Sequence, residues 1–418
     1  MMTTGSTLGA STHARKPETV TNVAVVGTGI AGLAMAVGLM RRGVNVTLLG
    51  PKNPLPPLAP DQFDPRVYAL SPASRRLLET LGVWAHLPAD RVTPVSVMDV
   101  RGDQHQPGGR FGQLEMSAWQ AGAESLAWIL ESRELERALQ QAAIWGGLRW
   151  VEQKLAATHL DEDVRVLTTE GGQRIHARLA IGADGGQSWL RQSAGVPVTR
   201  SDYQSIGVVG HFTTSLAHQE RAVQWFTDEG IIALLPMPDT ASGPTVSLVW
   251  SMPTAAASAL LSLPETERGQ ALLQRLQPWV AEVYPELGVQ GAVHGFPLVL
   301  QQAESMIGAR LALVGDAAHV IHPLAGQGLN LGLGDVQALL DLLADRPAQT
   351  DAGDPRLLRR YQRQRAETVL SMKWATDGLH QLFASSLPPV RWARNAGMTL
   401  VNRIPFLKRA LIKEAAGQ

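Results

Sequence analysis

VAVVGTGIAGLAMAVGLMRRGVNVTLLG, residues 23–50, decides the fold. Val23, Ala24, Val25 and Val26 make an apolar run of the kind that a parallel sheet buries on both faces. Gly27, Gly29 and Gly32 follow as G-x-G-x-x-G, and from Ile30 to Met40 the chain continues as an apolar helix. The glycines serve a tight turn, close backbone approach to a pyrophosphate, and close packing of helix on strand. Ile30 and Ala31 open the helix, where unpaired N–H groups and the positive dipole end favour an anion. Residues 44–49 supply the second strand. A glycine-rich turn alone is common, whereas this complete strand–turn–helix–strand unit specifies a dinucleotide-binding α/β domain.

The unit departs from the usual pattern at one point. An acidic residue normally ends the second strand and binds the ribose hydroxyls. Here that position is Gly50, followed by Pro51, Lys52 and Asn53, and the next acids, Asp61 and Asp64, come too late. Lys52 and Asn53 are the candidates for holding the adenosine ribose. On this reading a Gly50→Glu substitution preserves or tightens dinucleotide binding.

Two later stretches follow in a fixed order. LAIGADGGQSWLRQSAGV, residues 179–196, is a strand ending at Asp184-Gly185 and then a short helix carrying Arg191. An aspartate at such a junction, taken alone, is most often a turn former. VGDAAHVIHPLAGQGLNLGLGD, residues 314–335, runs from a buried strand into Gly315-Asp316, then a Pro/Gly loop, then a helix beginning around Leu329. That helix start aims the N–H groups of Gly326, Gln327, Gly328 and Leu329 at something electron-rich.

Together, the N-terminal glycines, GADGGQSWLR and LVGDAAHVIHPLAGQGLNLGLGD resemble the three fingerprints of the flavin-dependent aromatic hydroxylases, the p-hydroxybenzoate hydroxylase class. DPRVYALSPASRRLLETLGVW (residues 64–84), HPLAGQGLNLGLGD and the tail at 376–417 narrow the likeness to the ubiquinone-biosynthesis hydroxylases, over residues 23–417. The resemblance implies a Rossmann-like FAD-binding domain, an inserted antiparallel β-sheet substrate domain and a helical C-terminus. It implies FAD as cofactor, with NAD(P)H or another donor as reductant. Reduced flavin would take up O2 as a C4a-hydroperoxide, whose distal oxygen attacks the ring of a polyprenylated phenol or benzoquinol.

Residue by residue, it places Arg66 near the flavin, reaching toward phosphate or isoalloxazine. It adds Asp184, Asp316 and Asn330 to the cofactor set, with Pro323 packing near the flavin beside Leu324. The family carries asparagine or arginine in a helix start where this chain has Ser132-Arg133, so only Arg133 is retained. No Ser-His-Asp set or carboxylate pair argues for hydrolysis, and no catalytic side chain is nominated. Two other readings stay open: a hydroxylase of a small soluble aromatic or secondary metabolite, and a flavoprotein that does not hydroxylate.

Composition agrees with an enzyme of this size. The 418 residues carry 37 Lys plus Arg against 37 Asp plus Glu, so no global field draws the chain to nucleic acid. The absence of cysteine excludes disulfides, Cys-ligated zinc and thiol catalysis. No apolar run approaches the roughly 18 residues of a membrane span. The expected organisation is interleaved. Residues 1–20 form a disordered tail, 21–204 and 297–345 the FAD-binding domain, 205–296 the antiparallel substrate domain, and 346–418 a helical segment.

His319 and His322 lack the further convergent ligands a metal requires. Trp225, Phe226, Leu234 and Pro236 lie in the β-rich stretch and, with Pro323 and Leu324, are the substrate-pocket candidates; aromatic residues there are core by default. Basic and apolar residues interleave in 387–418, which fits either a helix packed on the cofactor domain or contact with an anionic membrane or a partner protein of a biosynthetic assembly. The location expected is the bacterial cytoplasm, at the membrane surface if that contact forms.

Overall fold

The computed structural model describes residues 18–103, 109, 111–321, 327–384 and 388–403. β1 (Glu18–Val26) pairs in parallel with β2 (Val46–Leu49), and α1 (Ile30–Arg41) crosses between them. The strand begins earlier than expected. Residues 18–20, assigned to the N-terminal tail, pair with Arg174, Ile175 and His176, while residues 1–17 lie outside the described chain. α1 buries Leu33, Ala34, Met35, Ala36, Val37 and Leu39 almost completely, and so behaves as a core helix.

The chain then leaves this sheet. β3 (Val67–Leu70) precedes α2 (Pro72–Thr80), and β4 (Val92–Val95), β5 (Val97–Arg101), β6 (Gln113–Ser117), α3 (Ala118–Ala121) and β7 (Ala127–Glu131) follow. β3, β7 and β4 make a small antiparallel sheet. α4 (Ser132–Trp145) leads back to β8 (Arg149–Val151), parallel to β2, and then to β9 (Leu155–Asp161), β10 (Val164–Thr169) and β11 (Arg174–Gly182). β11 pairs with β1, so the Asp184 turn emerges beside the glycine turn.

After α5 (Trp189–Ser193) come four long antiparallel strands, β12 (Val198–Thr214), β13 (Arg221–Thr227), β14 (Gly230–Thr240) and β15 (Gly243–Pro253). α6 (Thr254–Leu261) and α7 (Glu265–Val280) cover one face of them before β16 (Leu287–Ala303). Val208, Phe212, Trp225, Ile232, Leu234, Leu248, Trp250, Leu272 and Leu276 form the core between sheet and helices. β5 and β6 join this second sheet through a parallel pairing of β5 with β13. It therefore draws on residues 97–117 and extends to Ala303, beyond the stretch 205–296 expected for it. Those early strands alternate no more clearly than their neighbours, so only the pairing shows which sheet they complete.

The chain returns through β17 (Ile307–Gly308) and β18 (Leu311–Leu313), the latter parallel to β11. β19 (His319–Val320) then pairs with β16, so the segment after Asp316 is stitched to the second sheet. α8 (Gln327–Ala344), α9 (Pro355–Ala384) and α10 (Pro388–Arg403) are the last described elements. α10 docks along β6, where Thr399 Oγ1 accepts from Gly112 N at 2.9 Å and Asn402 Oδ1 from Glu115 N at 3.3 Å. Among the described residues, no helix is long and apolar enough to cross a membrane.

Candidate active site

The C-terminal ends of β1, β11 and β18 open on one cavity of about 890 Å³, whose far wall is the second sheet. Gly27, at the end of β1, has φ +114°, and a Cβ there would stand 2.2 Å from the Ala183 carbonyl oxygen. A side chain at Gly32 would meet the Gly27 carbonyl oxygen at 2.0 Å. Gly29 has open space beside it, so a ligand can approach its backbone closely. With Ile30 and Ala31 the three-residue start of α1 faces the cavity.

Asp184 Oδ2 accepts from Leu190 N at 3.0 Å, while its Oδ1 is buried with no hydrogen-bond partner. A buried carboxylate oxygen left without a donor is costly unless a ligand supplies one. Arg191, itself buried, donates to the carbonyls of Gly186 and Ala317, both at 2.9 Å, and so clamps the Asp184 turn to the Asp316 turn. Asp316 sits after β18 with its side chain exposed into the cavity. The surrounding protein pushes its carboxyl pKa up; His319 and Arg66 counter this, and Asp335 adds to it. Arg66 borders the same space with its guanidinium 4.5 Å over the Phe296 ring. Gly315, Gly328 and Leu329 line the cavity as well.

Several sequence-based candidates are placed elsewhere. Asn330 Oδ1 accepts from Ser71 N and Ser74 Oγ, and its Nδ2 donates to the Ala69 carbonyl at 2.8 Å. Asn330 therefore ties α8 to the turn before α2 and does not face the cavity. Lys52 lies 5.6 Å over the Trp150 ring, away from the cavity wall. Arg133 is spent on the Pro56 carbonyl, and Ser132, the residue set aside as atypical, is the one that lines the cavity. Pro323, Leu324, Gly326 and His322 lie outside the described residues, as does the side chain of Gln327.

The described substrate-pocket candidates do not border the cavity: Trp225, Leu234 and Pro236 alternate onto the opposite face of the sheet, and Phe226, on the cavity face beside Ile231, stays off the wall. Trp225 and Leu234 are buried under α6 and α7, Phe226 packs with Ile231 and Val100, and Pro236 is absent from the cavity wall. Their neighbours face the cavity instead: Gln224, Ile231, Ala233, Leu235, Val249 and Ser251. Register confirms a common face, since Gln224 pairs with Ala233, Ala233 with Val249, and Ile231 with Ser251. Side chains alternate along a strand, and here both faces are largely apolar, so composition alone does not say which one meets solvent or ligand.

Sequence reasoning also passed over Tyr68 and Glu136, which border the cavity. Burial pushes the Tyr68 phenol up, opposed by its hydrogen bond with Ser132 and the charge of Arg66. The cavity thus joins a pyrophosphate-type helix start, an orphaned buried carboxylate oxygen and an apolar sheet face. That donor and acceptor set fits a flavin dinucleotide.

Comparison with known proteins agrees. Residues 20–373 match the FAD binding domain family. The chain is 34% identical over 413 residues to the 3-demethoxyubiquinol 3-hydroxylase of Escherichia coli, covering 95% of this chain and 98% of that one. It belongs to the ubiquinone-biosynthesis hydroxylase family of FAD-dependent monooxygenases. A second member, the ubiquinone hydroxylase UbiL of Rhodospirillum rubrum, is 34% identical over 408 residues, covering 96% and 90% of the two chains. The crystal structure of PqsL, a probable FAD-dependent monooxygenase from Pseudomonas aeruginosa, shares the fold with a TM-score of 0.71 at 23% identity, covering 91% of this chain and 99% of that one. As a member of this family the chain is an FAD-dependent monooxygenase, and its fold is the one it shares with that structure.

Proposed function

We propose that this protein hydroxylates the aromatic ring of a polyprenylated phenol or benzoquinol, a precursor of ubiquinone, using FAD, O2 and a nicotinamide as reductant. The observation that carries this is the single cavity in which the three cofactor turns face an apolar sheet. In this reading Gly27, Gly29, Ile30, Ala31 and Gly32 hold the pyrophosphate. Asp184 and Asp316 accept hydrogen bonds from the flavin half, Arg66 adds positive charge, and Gly315, Gly328 and Leu329 approach through their backbone. When bound, FAD supplies the redox chemistry by which one atom of O2 is transferred to an electron-rich ring.

The protein's own share is orientation and exclusion of water. Ile231, Ala233, Leu235 and Val249 give the ring an apolar wall. Gln224 and Ser251 are the polar groups on that wall and stand ready to bond the ring oxygens. Side chains of this kind fix which ring carbon faces the cofactor.

The substrate's tail also calls for contact with a bilayer or a partner protein, made through 387–418 while the rest of the enzyme stays in the cytoplasm. Trp392 and Leu400, two turns apart on α10, are 62% and 58% exposed, and Trp119 after β6 is 88% exposed. Arg394 takes no part, because it is buried against Asp103. The test is nicotinamide oxidation with O2 uptake by the FAD-loaded enzyme. Acceleration by a prenylated phenol, with a hydroxylated product, supports the reading. Acceleration only by small soluble aromatics assigns a sister hydroxylase, and oxidation that no aromatic affects assigns a reductase.

A further inference from the structure

The second strand of the cofactor sheet has no acid to offer the adenosine ribose. At Gly50 the backbone is at φ +138°, and a Cβ would stand 3.0 Å from Thr28 Cγ2. The peptide is also pinned: Gly50 N donates to the Val151 carbonyl at 3.1 Å, and the Gly50 carbonyl accepts from Trp150 Nε1 at 3.0 Å. Any side chain there would be strained at this φ and would crowd Thr28. Lys52 does not replace it, since its ammonium rests over Trp150.

Among the described residues, four carboxylates border the cavity: Glu136, Glu170, Asp184 and Asp316. Strand order assigns them to sides. β18 and β11 lie on one flank of β1 and β2 and β8 on the other, so Asp184 and Asp316 stand away from Gly50. Glu170 is exposed at the end of β10, its N–H bonded to the Lys154 carbonyl at 2.9 Å. Glu136 is half-buried one turn into α4, the helix that packs on α1 and feeds β8 next to β2.

Taking the cavity as the FAD site, we infer that Glu136 accepts the hydrogen bond from the adenosine ribose that the missing acid at Gly50 would accept. The helix delivers the carboxylate to the ribose from above the sheet edge, whereas the usual acid arrives from the end of the strand. Burial at that wall pushes the Glu136 carboxyl up, with Asp64 adding to it and Arg133 and Gln140 opposing. A ribose hydroxyl would offer this carboxyl a donor that solvent supplies only in part.

The test titrates apoprotein, stripped of flavin, with FAD and with FAD carrying 2′-deoxyribose or 3′-deoxyribose in its adenosine half, read by quenching of flavin fluorescence. The native chain should prefer FAD over at least one deoxy analogue by about tenfold, the loss of one hydrogen bond to a charged group. Glu136→Ala should lose a similar factor for FAD and bind all three forms alike, with Glu136→Gln in between. Glu170→Ala should keep the native preference. Circular dichroism of each apo variant establishes that it is folded. A Glu136→Ala protein that binds FAD with the native preference intact, or a Glu170→Ala protein that loses it, overturns the inference while leaving the FAD site in place. Failure of the native apoprotein to bind FAD overturns both.

Discussion

His319 Nε2 lies 2.7 Å from Asp335 Oδ2, and this buried pair fastens the segment after Asp316 to helix α8. The same Oδ2 accepts from Gly315 N at 2.9 Å, and Oδ1 accepts from Arg365 Nε at 2.6 Å. Arg365 also donates to the Leu331 carbonyl at 3.0 Å. Asp335, fully buried, thus holds the backbone immediately before Asp316 and the ring just after it. Burial alone would raise its pKa, but His319 and then Arg365 hold the carboxyl below its usual range.

Removing that carboxylate leaves Arg365 buried without its partner. Asp335→Ala is expected to cost about 3–5 kcal/mol of stability, as breaking a buried pair does. Because the folded pKa is depressed, the pair's contribution is present above the unfolded carboxyl value near ~3.9 and is lost as pH falls through the folded value. Chemical denaturation of native and variant proteins at neutral pH and near pH 3 checks both points. A gap of undiminished size at the lower pH would refute the assignment.

Asp316 carries the opposite sign. Its folded pKa is raised, so the carboxylate form costs the apoprotein stability at neutral pH, and that cost falls away as pH drops through the folded value. Asp316→Asn should therefore raise the melting temperature of apoprotein at neutral pH. Asp316→Ala should weaken FAD binding by about 10–100-fold, the range for one lost buried polar contact. Flavin-to-protein ratios after gel filtration decide the second point, and an Asp316→Ala protein that stays fully yellow rules out the contact.

Gly50→Glu, read from sequence as a restoration, is now expected to do harm. Its φ of +138° is one that L side chains rarely adopt, at about 1–3 kcal/mol of strain, with Thr28 in the way. Thermal melts and FAD titration should show a less stable protein with weaker binding. Unchanged affinity in a protein of native stability would mean that the strand end yields easily.

The two faces of the second sheet should respond differently to substitution. Leu234→Ala empties a core position and should cost about 2–5 kcal/mol. Ala233→Trp, on the cavity side, should leave flavin content and stability near native while abolishing substrate-stimulated nicotinamide oxidation. Substrate response surviving in Ala233→Trp would move the ring off this wall.

Much of the cofactor half was legible because its signals are local. Glycines whose Cβ would strike nearby backbone, such as Gly32 against the Gly27 carbonyl, and aspartates at strand ends, such as Asp184 accepting from Leu190 N, are set by neighbours in the chain. Asn330 shows the limit. The sequence places it at a helix start, but only the fold brings Ser71 and Ser74 within reach of its oxygen. The same holds for Asp335, whose partners come from β19 and α9. On the second sheet the difficulty is different: Gln224-Trp225 and Ala233-Leu234 are adjacent pairs, and choosing the cavity-facing member requires knowing where α6 and α7 pack.

If the cavity joins a flavin to a prenylated aromatic ring, one oxygen atom of O2 enters that ring. The direct measurement supplies FAD-loaded enzyme, nicotinamide and a prenylated phenol under oxygen-18 gas, followed by mass analysis of the product. One labelled oxygen on the ring, with label absent when only the water is enriched, is the expected result. Nicotinamide oxidation that leaves the ring unlabelled, or a ring oxygen drawn from water, would contradict it.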